Sequence, residues 1–352
     1  MKPFDYVRAA SVSQAVAAAG DPGAAYLAGG TNLLDLMKGG ALRPDMLVDI
    51  ARLPGLDRID RLGDGGLRIG AMVRNADLAH DADFARSYPA VVEALLSGAS
   101  AQIRNAATVG GNLLQRTRCS YFYDVASACN RREPGSGCDA LHGENRLHAV
   151  LGWSPNCIAT HPSDFCVPLV AMDAVVEIEG KAGRREIALE ALHRLPGDTP
   201  AHETALEPGD LIVALRLPAD AASFAAHARF LKVRERTSFA FAVASAAAAL
   251  DVDGETIRSA RIALGGVAAK PWRARTAEQA LAGADLTEAA FRKAAEAALA
   301  EAKPSGDNAF KIELAKRIVV RVLKLAAAGT PERLPALPAS PFSSVPGERR
   351  YA

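Results

Sequence analysis

The chain has 352 residues, 49% of them hydrophobic, and its 41 basic and 40 acidic side chains leave a formal net charge of +1. This length and apolar content can build a large core in two or three domains. The near-neutral charge, without a long basic or acidic run, argues against nucleic acid or an anionic membrane surface as a partner. A membrane span is not expected, because no run of about 18 apolar residues occurs. The first residues, MKPFDYVRAASVSQAV, contain neither an apolar signal core nor a twin-arginine pair, so an export signal on this polypeptide is not expected.

Short helices and strands are predicted along the N-terminal third of the chain. A serine start and a glycine stop favour a helix at 11–19, and a strand at 26–28 leads through a glycine turn into a helical segment at 33–37. Two further strands and a helix are predicted at 46–50, 67–71 and 89–96.

Regular structure is predicted again in the C-terminal half. The segments are a helix at 165–172, strands at 174–179, 211–217 and 230–233, a hairpin joining 239–250 to 258–264, and helices at 287–302 and 310–327. The proline-rich tail from Thr330 is expected to be extended or poorly ordered.

Two turns each carry paired glycines, small polar side chains and an asparagine. The first is Ala28-Gly29-Gly30-Thr31-Asn32, and the second is Thr108-Val109-Gly110-Gly111-Asn112. Glycines let the backbone approach a phosphate closely, and the amides that follow can point at it. Neither turn matches GxGxxG or GxxxxGK[ST], so a Rossmann site or a P-loop is not indicated. The spacing leaves open both a shared pyrophosphate site and two unrelated tight turns.

The five cysteines, Cys119, Cys129, Cys138, Cys157 and Cys166, all fall within 48 residues. Such crowding favours a metal site over disulfides. The first four lie on a predicted long loop, 115–162, and are separated by nine, eight and eighteen residues without a CxxC pair. This spacing leaves an iron–sulfur cluster, a zinc site and structural cysteines open.

The remaining candidates for chemistry are weaker. Cys166 is expected to be a small buried thiol. His142, His148 and His161 are expected to be solvated or hydrogen-bonded and not to bind metal. GxSxG and HExxH are absent, so no catalytic residue is predicted.

Four segments in the right order resemble the FAD-binding (medium) subunits of the xanthine dehydrogenase and carbon monoxide dehydrogenase family of molybdenum hydroxylases. They are AGGTNLLDLMK at 28–38, TVGGNL at 108–113, HPSDFCVPLVAMDA at 161–174 and ALGGVAAKPWRA at 263–274. The segments QRTRCSYFYD, RREPGSGCDAL and CIATHPSD resemble the FAD subunit of periplasmic aldehyde oxidoreductases.

The resemblance implies an α+β fold, with a two-subdomain FAD-binding domain of the PCMH or vanillyl-alcohol-oxidase type and a C-terminal domain of antiparallel strands and helices. The implied boundaries are 1–60 for the first FAD-binding subdomain, 61–224 for the second with an insertion at 115–162, 225–329 for the C-terminal domain and 330–352 for the tail.

The resemblance also implies the site residues. FAD would be bound by Tyr26, Leu27, Ala28, Gly29, Gly30, Thr31, Asn32, Leu33, Leu34, Thr108, Gly110, Gly111, Asn112, Asp164, Ile212 and Lys232. A [4Fe-4S] cluster would be held by Cys119, Cys129, Cys138 and Cys157. Lys232 would lie near the flavin ring and stabilise negative charge on the reduced flavin.

The implied function is an electron-transfer subunit of a molybdenum-dependent aldehyde oxidoreductase, which converts an aldehyde and water to a carboxylic acid. Its partners would be a large subunit with the molybdenum cofactor, a small [2Fe-2S] subunit and an external electron acceptor. The alternatives are another molybdenum hydroxylase of the xanthine, CO or hydroxybenzoyl-CoA type, a free-standing flavin oxidoreductase, and a zinc scaffold. The expected location is the periplasm, reached by co-export with a signal-bearing partner subunit, or otherwise the cytoplasm.

Overall fold

A computed structural model describes residues 1–332 of the chain. The predicted proline-rich tail therefore lies almost entirely outside the described residues. Within them, three separate sheets follow one another along the chain.

The first sheet contains three parallel strands in the order β1-β3-β2. The strands are β1 Asp5–Arg8, β2 Ala24–Leu27 and β3 Met46–Asp49, and the helices that join them are α1 Val12–Ala18 and α2 Leu33–Gly39. Parallel neighbours need a crossover connection, and these two helices supply it. Ser11 caps α1, since its hydroxyl accepts a hydrogen bond from the amide of Gln14. The sheet thereby places the first diglycine turn at the end of β2.

The second sheet contains five antiparallel strands in the order β4-β5-β8-β6-β7. The strands are β4 Ile59–Arg61, β5 Leu67–Gly70, β6 Val175–Gly180, β7 Gly183–Ala188 and β8 Leu211–Leu217. The helices around it are α3 Asn75–His80, α4 Ala82–Ser87, α5 Pro89–Ser97, α6 Ala101–Ala106, α7 Val109–Leu113, α8 Ser120–Tyr123, α9 Cys166–Ala171 and α10 Leu189–Leu192. A 3₁₀ helix follows at Ala219–His227.

The segment at 115–162 is mostly irregular, as the sequence predicts. It contains α8, a 3₁₀ turn at Asp139–Leu141, and two isolated bridges, Cys129 to Cys138 and Ser154 to Cys157. Its shape is therefore set by side-chain contacts and short turns more than by a sheet or a long helix.

The third sheet contains four antiparallel strands in the order β12-β11-β10-β9. The strands are β9 Ala228–Val233, β10 Ala244–Asp253, β11 Thr256–Gly265 and β12 Trp272–Arg273, and the helices are α11 Arg275–Leu281, α12 Glu288–Ala298 and α13 Phe310–Ala327. Strands β10 and β11 form the predicted hairpin, and α13 has the predicted bounds. Its apolar face, including Ile318, Val319, Val322 and Leu323, is buried.

The predicted α+β class is confirmed, and the domain boundaries remain a prediction. Several short elements were not predicted. Among the strands, β1 and β4 have only four and three residues and are largely exposed, so they carry little apolar alternation.

A buried ion pair joins α5 to β9, between the second and third sheets. Glu93 is fully buried, and its carboxylate accepts hydrogen bonds from Arg229 Nε at 2.9 Å and from the amide of Phe230 at 2.7 Å. Burial raises the pKa of Glu93, and the neighbouring Arg229 opposes that shift. The pair fixes β9, and with it the side chains further along this strand, against the helices of the second sheet.

Replacing Glu93→Leu should lower the free energy of unfolding by about 3–5 kcal/mol, because it leaves the Arg229 guanidinium buried without a counter-charge. Denaturant unfolding followed by circular dichroism measures this change. The control is Glu186→Ala, which removes a half-exposed pair with Arg216 and should cost about 1 kcal/mol or less. Equal costs for the two variants would contradict the assigned role of Glu93.

Candidate functional site

One large cavity of about 810 Å³ lies where the first two sheets and their loops meet the third. This volume falls within the range of small-molecule and cofactor sites. Its walls come from the two diglycine turns, from α5 and α6, from the segment that precedes α9, and from β9 with the loop after it.

The first diglycine turn reaches the cavity through Thr31 and Asn32. Gly29 packs so closely on the end of α6 that an added Cβ would lie 2.0 Å from the carbonyl oxygen of Ala106. Gly30 has a φ of +71°, a conformation that glycine adopts at little cost. The glycines are thus explained by backbone geometry, and the two polar residues that follow them face the cavity.

The second turn begins α7 and lies in the same wall. Thr108 caps this helix, because its hydroxyl accepts a hydrogen bond from the amide of Gly111 at 3.2 Å. Asn112 lines the cavity, and its side-chain oxygen accepts hydrogen bonds from Gln115 at 2.6 Å and Ser163 at 2.8 Å. The two turns therefore lie on one cavity, as expected for a shared ligand.

A buried ion pair crosses the wall of the cavity. Lys232 Nζ, on β9, lies 2.6 Å from Asp164 Oδ2, and the two side chains are only 2% and 7% exposed. Lys232 also donates to the carbonyl of Ser97 at 3.2 Å. Burial raises the pKa of the Asp164 carboxyl, and the positive charge of Lys232 opposes this effect. The two predicted residues are thus direct partners, and the wall of the cavity contains a buried ion pair whose charges nearly cancel.

Two arginines of the lining carry buried donors without a protein partner. They are the Nε atoms of Arg104 and Arg118. Nη1 of each already has an acceptor, since Arg104 donates to the carbonyl of Gly98 at 2.7 Å and Arg118 to Asp35 at 2.7 Å. Buried unpaired donors are costly, so they favour an acceptor such as a phosphate group as ligand.

The predicted site residues divide into two groups. Those that line the cavity are Thr31, Asn32, Gly111, Asn112, Asp164 and Lys232. Those outside its lining are Tyr26, Leu27, Ala28, Gly29, Gly30, Leu33, Leu34, Thr108, Gly110 and Ile212. Half of the second group belongs to the two turns, and the other half lies in β2, α2 and β8.

Ile212 is the clearest exception, because it lies in strand β8, is 4% exposed and belongs to the main core cluster. Tyr26 has a structural contact as well, since its hydroxyl donates to the carbonyl of Gly209 at 2.8 Å.

Several residues that line the cavity are not predicted from the sequence. Besides the two arginines, they include His148 and the partly exposed Phe239 and Phe241 from the loop after β9. Phe239 has a φ of +51°, which is uncommon for a bulky side chain. Only the fold brings these residues together, because they lie on three separate stretches of chain without a shared motif.

The four loop cysteines, Cys119, Cys129, Cys138 and Cys157, surround a second, much smaller cavity of about 10 Å³. All are free thiols. Cys119 also lines the large cavity, and its sulfur lies 3.2 Å from Nε2 of His148. Within residues 1–332, the His, Cys and acidic side chains whose ligand atoms lie within 4.8 Å of one another are His161, Cys166 and His193. The four loop cysteines are not in this group, which argues against a single zinc ion bound between them.

Comparisons with known families cover most of the chain. Residues 2–220 match the family described as the FAD binding domain in molybdopterin dehydrogenase. Residues 229–326 match the CO dehydrogenase flavoprotein C-terminal domain.

Similar proteins agree with these matches. The aldehyde oxidoreductase FAD-binding subunit PaoB of Escherichia coli strain K12 is 50% identical over 93% of this chain and 99% of that protein. The carbon monoxide dehydrogenase medium chain of Hydrogenophaga pseudoflava is 30% identical over 92% of this chain and 96% of that protein. A solved structure of carbon monoxide dehydrogenase from the same organism has a TM-score of 0.72 at 30% identity, over 93% of this chain and 99% of that one.

The fold, the cavity and these matches define an FAD-binding flavoprotein with oxidoreductase relatives. The chain belongs to the family of FAD-binding medium subunits of molybdenum hydroxylases. The resemblance drawn from the sequence, the implied fold and the implied enzyme class are confirmed.

The predicted [4Fe-4S] cluster on this chain is corrected. The matching family is described as an FAD-binding domain, and the cofactor that the name of the aldehyde oxidoreductase relative gives for the corresponding subunit is FAD. The family match and the relatives therefore support FAD as the cofactor of this chain. Four thiols around one small cavity also fit a structural cluster of cysteines, an alternative that their spacing left open.

None of the helices within residues 1–332 is both long and apolar enough to cross a membrane.

Replacing Gly29→Ala should lower the free energy of unfolding by about 1–3 kcal/mol, because the new methyl group meets a backbone carbonyl that cannot move freely. It should also reduce the bound FAD, since the turn must shift away from α6. Denaturant unfolding and the flavin-to-protein absorbance ratio measure the two effects. The matched control is Gly39→Ala, whose Cβ meets nothing within 4 Å; a similar loss in this control would refute the close-packing argument.

Proposed function

We propose that this chain binds FAD in the large cavity and relays electrons for a molybdenum-dependent aldehyde oxidoreductase. The observation that carries the proposal is the convergence of both diglycine turns and the Lys232–Asp164 pair on one cavity. The 50% identity to an aldehyde oxidoreductase FAD-binding subunit supports the choice of substrate class.

The polar groups of the cavity suit a dinucleotide. Arg104 and Arg118 would neutralise its pyrophosphate through their unpaired Nε donors. Thr31 and Asn32 would add polar side-chain contacts from the first turn, and Asn112 from the second. The close approach of Gly29 to Ala106 would hold the two turns at the separation that one ligand needs.

FAD supplies the chemistry here, because it takes up electrons singly or in pairs. Lys232 would contribute a fixed positive charge beside it, and that charge stabilises negative charge gained on reduction. Asp164 holds the ammonium in place by an ion pair and keeps the wall nearly neutral when the cofactor is oxidised. The buried setting strengthens this interaction, since little solvent screens it.

The remaining partners are proposed from the relatives. A large subunit would hold the molybdenum cofactor and hydroxylate the aldehyde with water, and a small [2Fe-2S] subunit would pass the electrons to FAD. An external acceptor would reoxidise the flavin. A periplasmic location by co-export with a signal-bearing partner is part of the same proposal, and fractionation of cells that express all subunits tests it.

The first test uses the complex purified with its partner subunits. Adding an aldehyde without oxygen should bleach the flavin absorbance, whereas the same chain expressed without its partners should bind FAD and stay oxidised. Bleaching by aldehyde in the isolated chain would establish a free-standing flavin oxidoreductase instead. Bleaching of the complex by xanthine or CO but by no aldehyde would assign it to another type of molybdenum hydroxylase.

The variant Lys232→Met, combined with Asp164→Asn so that no buried carboxylate is left unpaired, should lower the flavin midpoint potential. A shift on the order of 30 mV or more is expected, which for a two-electron couple corresponds to about 1.4 kcal/mol. Spectroelectrochemical titration of the complex measures it.

The control for this variant is Lys324→Met, which removes a half-exposed lysine paired with Glu288. Its potential should equal that of the unmodified protein. An unchanged potential in the double variant, with FAD still bound, would place Lys232 away from the flavin ring.

A further inference from the structure

A compact group of nitrogen and sulfur side chains lies beside the second diglycine turn, outside the large cavity. His161, Cys166 and His193 each offer one ligand atom, and the three atoms lie within 4.8 Å of one another. Cys166 is fully buried, and His193 is 5% exposed. The rings of His161 and His193 are 4.3 Å apart at their centroids and meet edge-on.

The orientation of His193 is that of a metal-binding histidine. Its Nε2 lies 2.8 Å from the carbonyl oxygen of Leu113, which can only accept, so Nε2 carries the proton. The lone pair is then on Nδ1, which is buried and has no partner. Metal-bound histidines commonly donate their second ring N–H to a backbone carbonyl in this way.

His161 also carries a buried nitrogen without a partner, namely its Nε2. Its Nδ1 accepts from the amide of Ser163 at 3.3 Å, near the long end of the hydrogen-bond range. A metal ion at Nε2 would shift the ring proton to Nδ1 and give up this long contact, in exchange for a partner for the buried nitrogen.

The surrounding charges select the ion. Arg131 and Glu203 line a small cavity of about 20 Å³ beside both histidines, and Glu203 pairs with Arg131 at 2.8 Å and also with Arg116. No net negative charge is therefore left to balance a divalent ion there. A monovalent ion bound to the Cys166 thiolate forms a neutral unit, and burying a neutral unit costs far less than burying a net charge. Two imidazoles and a thiolate also suit a soft ion.

We propose that His161, Cys166 and His193 form a three-coordinate site for one copper(I) ion. Binding forms two Cu–N bonds and one Cu–S bond, breaks the S–H bond of Cys166 and releases its proton to solvent, and the copper oxidation state does not change. The site ties His193, which follows α10 and forms an isolated bridge with Thr204, to the segment that carries Asp164. Its role is to fix that segment beside the large cavity.

Anaerobic competition against a copper(I) chelator, bicinchoninate, tests the site in the purified complex. Cys166→Ala and His193→Gln should each retain one copper(I) per chain fewer than the unmodified protein. His142→Asn, which alters an exposed histidine of the same loop, should retain the full number. The four thiols of the smaller cavity contribute equally to all variants, so the difference isolates the proposed site.

Bound FAD, measured by absorbance, reports folding in each variant. If His193→Gln loses FAD, Cys166→Ala decides the outcome, because it removes only a sulfur atom from the packing. Equal copper retention in Cys166→Ala and the unmodified protein would overturn the proposal. Loss of one zinc(II) but no copper(I) in these variants would overturn the assignment of the ion.

Discussion

The cavity depends on a charge pair that neither half of the chain can make alone. Asp164 precedes α9 beside the second sheet, and Lys232 comes from β9 of the third sheet. Each charge would be costly to bury without the other, so the pair forms only when the two regions are correctly docked. Arg229 lies three residues before Lys232 on β9, and its ion pair with Glu93 also joins this strand to the helices of the second sheet. Two buried ion pairs thus fix β9 and set the position of Lys232, the only lysine that lines the cavity within residues 1–332.

In the two diglycine turns, the glycines meet the requirements of backbone geometry, and the polar residues beside them supply side-chain contacts to the cavity. The glycines are required by steric fit, most clearly at Gly29 against Ala106. The polar residues next to them, Thr31 and Asn112 among others, then face the cavity. A substitution at a glycine would therefore act on the shape of the site, whereas one at a polar neighbour would act on its contacts.

Much of this could be predicted from the sequence. Long periodic elements such as α13 and β8 were placed at their observed bounds, because burial on one or both faces leaves a clear pattern. The two turns and the segment at 161–174, which the sequence singles out, all contribute residues to the lining of the cavity. Arg104 and Arg118 were missed, since an arginine on a short helix or loop carries no local sign of the cavity that it lines. The crowding of the four loop cysteines predicts that they lie together, and they do line one small cavity. Their spacing alone does not distinguish a metal site from structural cysteines.

The side chain of Asn32 couples the first diglycine turn to the long irregular segment at 115–162. Its oxygen accepts the backbone amide of Arg116 at 2.7 Å, at the very start of that segment. The first turn is thus completed by a piece of chain that does not belong to either diglycine motif. A displacement of the irregular segment would therefore remove an acceptor's partner inside the first turn, and a change at Asn32 would in turn release the start of that segment.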